Sequence, residues 1–174
     1  KKKKKVGKGK DNTMSLPRIA KEFKSVRKTL AEDSSYNHIL KLEPKDTGNM
    51  YHWIADISGP PETPYASAVF SLDVELPMQY PLEPPRVKFL PGPRNNICHC
   101  NVDFKTGEIC LDILTREHWS PVWDLVHVIH AIWILLGEPV PESPLNVDIA
   151  NVLKAGDLEA YEGLIKYYIG MNDV

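Results

Sequence analysis

Apolar residues open the chain at helical spacing. Leu16, Ile19, Ala20, Phe23, Val26 and Leu30 recur at steps of three and four, opposite Arg18, Lys21, Lys24, Arg27 and Lys28. This spacing predicts an amphipathic helix from Ser15 to a break near residues 32–35. The period then falls to two. Tyr51, Trp53, Ala55 and Ile57 alternate with polar neighbours, as do Ala68, Phe70, Leu72, Val74 and Leu76 beyond the turn Gly59-Pro60-Pro61. Residues 39–42 and 86–90 read as a first and a fourth strand. Strands this close in sequence predict an antiparallel meander, because parallel crossovers need more chain.

Pro77, Pro81, Pro84 and Pro85 exclude a central strand, so this segment, with Tyr80 and Leu82, is read as an ordered extended loop. Residues 91–96 form another turn-rich break, and residues 97–114 show no clean period. Helices resume at Ser120, read as an N-cap with Pro121 in the first helical position, leading a strongly apolar helix over 122–136. A proline-rich break at 139–144 precedes two shorter helices, 146–155 and 158–169, with Gly156 as stop and Asp157 as cap. The order is helix, four strands, irregular stretch and three helices, an α+β layout.

Composition adds bounds. At 174 residues, with 43% hydrophobic and 25% charged side chains, the chain suits one domain with a sizeable core. The net charge of −2 conceals an asymmetry: seven of the first ten residues are lysine. Without those seven of the 21 basic residues, 14 remain against 23 acidic ones, a net of −9. Residues 1–14 are expected to be a disordered Lys-rich tail or added leader, and 15–174 the folded domain. An acidic body argues against a nucleic-acid binder; an adaptor acting through the tail would bind in a salt-sensitive way. Three cysteines, and no n-region, apolar h-region and cleavage site, suggest a reducing compartment with free thiols. The apolar stretch at 131–136 is far shorter than the ~20 residues of a membrane span. Membrane association is expected only through a partner, without direct insertion.

Reactive side chains concentrate in His99-Cys100-Asn101 and Gly107-Glu108-Ile109-Cys110-Leu111-Asp112. Cys110 lies between anchored-looking Ile109 and Leu111, so its sulfur can be presented rigidly, as thiol chemistry requires. Asn101 could donate its amide to an oxyanion, or be a turn residue bonding its own backbone. His99 could be a general base, or could satisfy nearby carbonyls. A metal centre from Cys98, His99, Cys100 and Cys110 lacks the second pair of the standard zinc spacings, so no metal is expected. A papain-like protease would need signature residues that are absent. The residues alone leave a candidate thiol enzyme.

These motifs, in order across residues 18–169, resemble the ubiquitin-conjugating family. They are Arg18-Ile19-Ala20-Lys21-Glu22, Gly59-Pro60 with Thr63-Pro64-Tyr65, Tyr80-Pro81-Leu82-Glu83-Pro84-Pro85, His99-Cys100-Asn101, the segment around Cys110, Trp119-Ser120-Pro121, and Ser143-Pro144-Leu145. The resemblance implies the family fold of a first helix, four-stranded meander, active-site loop and three further helices. It implies that an activating enzyme, using ATP, loads ubiquitin onto Cys110 as a thioester, and that an acceptor then attacks. The thioester is already activated, so no bound cofactor is expected. Asn101 matches the asparagine of oxyanion or loop support, and Asp112 and Ser143 match the acceptor gate. Arg18, Lys21, Leu82, Pro121 and Val122 match the surface facing RING-type ubiquitin ligases; His130 and Ile134 match the face that holds donor ubiquitin.

Many members place aspartate at the position of Ser143. Two departures narrow the resemblance: Cys100 where the family has proline, and a slightly long loop at Phe104-Lys105-Thr106. Together with Trp119-Ser120-Pro121-Val122-Trp123-Asp124-Leu125 and Ser143-Pro144-Leu145-Asn146-Val147-Asp148, they look most like the fungal peroxisomal branch of the family. That branch implies monoubiquitination of the cycling import receptor on a cysteine, at the cytosolic face of the peroxisome, with tethering by a membrane-anchored partner (peroxin twenty-two). A thiol acceptor suits Ser143, since a thiol ionises near pH 8.5 and an amine near 10.4. Alternatives are a general cytosolic conjugator, one for another ubiquitin-like modifier, and a catalytically silent module of the same fold. Cys98 and Cys100 are expected to be reduced, with Cys100 partly buried.

Overall fold

A computed structural model describes residues 15–91 and 97–170. The expected tail at 1–14, most of the turn at 91–96 and the last four residues lie outside the described residues. Helix α1 spans Ser15–Glu32, as its period predicts. Its buried stripe is narrower than expected: Ile19 and Val26 are buried and Phe23 and Leu30 half-buried, whereas Leu16 and Ala20 face solvent. The stripe keeps only the strict three-and-four alternation, and Phe23 meets Trp53 edge-on at 6.1 Å between ring centroids.

Four strands follow: β1 (Ile39–Asp46), β2 (Asn49–Ser58), β3 (Val69–Glu75) and β4 (Arg86–Phe89), in antiparallel order β1-β2-β3-β4. Register explains the alternation. Trp53, Ala55 and Ile57 pair with Val74, Leu72 and Phe70, and Leu72 and Val74 pair onward with Phe89 and Val87. All of these are buried on one face, where a slip of one residue would turn the whole set outward. β1 runs past its expected end at residue 42 and includes Pro44. It is an edge strand, where a missing N–H costs no ladder bond, and its register shifts between Pro44 and Asp46.

Helix α2 (Leu125–Gly137) begins later than expected. The cap is Asp124, whose carboxylate accepts the N–H of His127, and not Ser120. The reason is tertiary: the Arg18 guanidinium holds the carbonyls of Pro121 and Trp123, at 2.8 Å each, which fixes residues 120–124 as a turn. α3 (Val147–Lys154) is capped by Asn146, and α4 (Leu158–Tyr168) by Asp157. α1 and α2 both contact β1, and the buried side chains of sheet and helices form a single core cluster.

Candidate active site

Residues 97–114, aperiodic in sequence, are organised by hydrogen bonds to distant loops. Ile97, Cys98, His99 and Cys100 are all buried. His99 donates Nε2–H to the Leu135 carbonyl at 2.9 Å and accepts the Asn101 N–H at Nδ1. Both ring nitrogens of the neutral imidazole are thereby used, and burial pushes its pKa down to about 4. His99 satisfies a carbonyl, the second of the two readings above. The linkage has a definite sign. An unfolded histidine takes up a proton near pH 6.5 that folded His99 refuses until about 4, so its contribution is complete above 6.5 and fades as pH falls toward 4. His99→Gln is therefore expected to flatten the plot of unfolding free energy against pH between 6.5 and 4.5, by up to about 1.4 kcal/mol per pH unit. Urea titrations at several pH values measure it, and equal slopes for the two proteins would refute it.

Asn101 is buried and its amide is fully engaged. Nδ2 donates to the carbonyls of Val140 at 2.7 Å and Ser143 at 3.1 Å, and Oδ1 accepts the Val140 N–H at 2.8 Å. The Cys100 carbonyl accepts the N–H groups of Leu145 and Asn146, so the 139–146 loop is fastened to residues 100–101 on both sides. The Asn101 carbonyl in turn accepts the Cys110 N–H at 2.8 Å. Cys110 thus hangs from the residue that holds the 139–146 loop, so one residue anchors both segments.

The chain between them is a hairpin. Val102 bridges Ile109, the Asp103 carboxylate accepts the N–H groups of Lys105 and Thr106, and Gly107 turns the chain at φ 74°. Its outer side docks on β4 through the Lys88–Glu108 bridge and the bond from Phe89 N–H to the Gly107 carbonyl. Cys110 emerges at the hairpin's end, ahead of a single 3-10 turn over Asp112–Leu114. It is half-exposed and lines a groove of about 560 Å³ together with Asp112, Glu108, Leu114, Leu145 and Arg86. Asp112 and Ser143 are both exposed. The other two cysteines differ. Cys100, expected to be partly buried, is wholly so, its thiol donating to Asn101 Oδ1 beneath the 139–146 loop. Cys98 is buried as well, which pushes its thiol up to about 11, and burial also raises Cys100.

Of the residues matched to the ligase surface, Leu82 is 73% and Val122 86% exposed, and Pro121 and Lys21 face solvent. The Trp119 indole joins their two loops by donating to the Pro81 carbonyl at 2.7 Å. Arg18 is half-buried and spends its guanidinium inside the molecule, on Pro121, Trp123 and Glu22. On α2, Ile134 is exposed, whereas His130 is half-buried with Nδ1 3.0 Å from His38 Nε2. Buried Glu22, the last residue of the first-helix motif, has no role implied by the resemblance. The available signal was an acidic residue on the buried side of α1, three positions from Ile19 and four from Val26.

A four-stranded meander flanked by helices, with a half-exposed cysteine on a hairpin beside an asparagine-anchored loop, defines a class. Residues 18–169 match the ubiquitin-conjugating enzyme family, and the chain belongs to it. It is 49% identical over 159 residues to ubiquitin-conjugating enzyme E2-21 kDa of Saccharomyces cerevisiae, covering 88% of this chain and 85% of that protein. Protein PEROXIN-4 of Arabidopsis thaliana is 44% identical over 154 residues, covering 88% and 92%. Among solved structures, the H. polymorpha ubiquitin conjugating enzyme Pex4p, in complex with the soluble domain of Pex22p, is similar at a TM-score of 0.84. Identity there is 38%, over 90% of this chain and 97% of that one.

Proposed function

We propose that Cys110 carries ubiquitin as a thioester and passes it to the peroxisomal import receptor during its recycling. The carrying observation is that Cys110 alone of the three cysteines reaches solvent, in a groove, with its N–H held by the Asn101 carbonyl. The Cys110 thiolate attacks the ubiquitin carboxyl carbon held on the activating enzyme, whose own thiolate leaves. The acceptor then attacks the same carbon, loses its proton, and Cys110 leaves as thiolate. Asn101 acts as loop support, since its amide hydrogens already serve Val140 and Ser143. Asp112 and Ser143 form the gate through which the acceptor comes. His130 and Ile134 face donor ubiquitin, and Lys21, Leu82, Pro121 and Val122 face a RING-type ligase.

Residence at the cytosolic face of the peroxisome, through an anchor like Pex22p, is supported by the peroxin relatives and by the complex in which the similar structure was solved. No helix among the described residues is long and apolar enough to cross a membrane. The test mixes the protein with activating enzyme, ATP and ubiquitin. A reductant-sensitive adduct is expected, and its absence overturns the proposal; parallel reactions with ubiquitin-like modifiers separate the rival conjugation classes. Discharge of that adduct to free cysteine and free lysine tests the gate. Ser143→Asp is expected to raise the lysine-to-cysteine ratio roughly tenfold or more, by giving the amine a proton acceptor. An unchanged ratio rejects the role of Ser143.

A further inference from the structure

Glu22 is 3% exposed. A carboxylate so placed is costly unless its lone pairs are used, and here they are. Oε1 accepts from Arg18 Nε and from the Tyr80 hydroxyl, both at 2.5 Å, and Oε2 accepts the N–H of Leu125 at 3.0 Å. Each bond reaches a different part of the molecule. Tyr80 begins the loop that presents Leu82. Leu125 opens α2, where a negative charge also meets the positive end of the helix dipole. Arg18, one helical turn before Glu22, extends the tie to the carbonyls of Pro121 and Trp123, on either side of Val122. Around this centre, Trp119 donates to Pro81 and Arg116 pairs with Glu83 at 2.7 Å, so the Leu82 and Val122 loops are also joined at their outer edge.

We infer that Glu22 is a positioning residue for ligase engagement. One buried carboxylate on α1 fixes the Leu82 loop, the Val122 loop and the start of α2 in a single arrangement. The inference rests on the reading that Leu82 and Val122 meet a ligase. It goes further by placing the determinant of that surface beneath it, on a side chain no ligase touches. Leu82 and Val122 lie 40 positions apart, on loops outside the helices and strands. Their relative placement therefore has to be imposed from inside, and the bonds to Glu22 and Arg18 are where the two loops converge. An amide cannot replace the carboxylate. Glutamine accepts at one end only, and its NH2 would face the N–H of Leu125 or the donors of Arg18 and Tyr80.

The test separates positioning from general damage. Glu22→Gln, Tyr80→Phe and Leu82→Ala are compared with wild type in three rates: loading of Cys110, unaided discharge to free lysine, and discharge stimulated by a RING domain that accelerates the wild type. Glu22→Gln is expected to load and discharge unaided within about twofold of wild type, but to need roughly tenfold more RING domain for half-maximal stimulation. Tyr80→Phe cuts only the tie to the Leu82 loop and keeps the fold's other bonds, so the expected rise is about threefold. If Leu82→Ala leaves the stimulation intact, the docking reading falls and this inference with it. If Leu82→Ala impairs stimulation while Glu22→Gln and Tyr80→Phe do not, the docking reading stands and the role of Glu22 is overturned. A Glu22→Gln loss equal in all three rates also overturns it, because the residue would then be serving the fold alone.

Discussion

Cys110→Ala is expected to form no adduct with ubiquitin, and Cys110→Ser to form one that reductant no longer dissolves, whereas Cys98→Ala and Cys100→Ala still load. The contrast follows from where each sulfur sits. Loading needs a thiolate that an incoming carboxyl carbon can reach, and Cys110 lies half-exposed in the groove. Cys98 is 3% exposed, and burial pushes its thiol up to about 11, which leaves roughly one in ten thousand ionised at pH 7. Cys100 is at 0% exposure, with its thiol turned onto Asn101. Removing either buried sulfur costs packing, on the order of 1–2 kcal/mol, and leaves the groove intact. Serine at 110 keeps the geometry but offers a far weaker nucleophile, so its ester forms slowly and turns over at least about a hundredfold more slowly than the thioester. Electrophoresis with and without reductant reads all four variants. Loss of the adduct in Cys98→Ala or Cys100→Ala, with its persistence in Cys110→Ala, would move the nucleophile elsewhere.

The same residues show where sequence reading holds and where it stops. The meander is legible because one face of each strand is buried, so Trp53, Ala55 and Ile57 stand out against their neighbours. The start of α2 is not legible, because two cap signals compete locally and a guanidinium more than a hundred positions away decides between them. The extent of β1 is hidden in the same way, since only sheet order reveals that Pro44 lies on an edge. At the site, ordered motifs locate Cys110 and Asn101 but not what they touch. The bonds from Asn101 to Val140 and Ser143 span 39 and 42 positions, and no local period encodes them. Cys100 looks half-buried in an irregular stretch and is fully covered because the 139–146 loop folds back over it. Periodicity reports on one element and its neighbours; the site is assembled from pieces that meet only in the folded chain.

Gly107→Ala is expected to do the largest structural damage of any single methyl group added near the site, and Gly156→Ala shows why. Both glycines sit at φ 74°, where an L-residue carries strain of about 1–2 kcal/mol. At Gly156, just past the end of α3, an added Cβ meets nothing within 4 Å, so strain is the whole cost. At Gly107 the same Cβ would lie 2.0 Å from the Phe89 carbonyl oxygen, a backbone atom that cannot rotate away. The hairpin must then lift from β4 and give up the bond from Phe89 N–H to the Gly107 carbonyl. Together these losses come to roughly 3–5 kcal/mol, or about 10 °C in melting temperature for a domain of this size. Activity should suffer more than stability. Cys110 follows three residues later and hangs from the Asn101 carbonyl at the hairpin's base, so a lift of about 1 Å at the turn is expected to slow loading around a hundredfold. Gly156→Ala, equal in strain, should load at the wild-type rate. Melting curves and loading rates for the two variants decide the matter: equal losses would mean that the collision with β4 is not what holds the thiol in place.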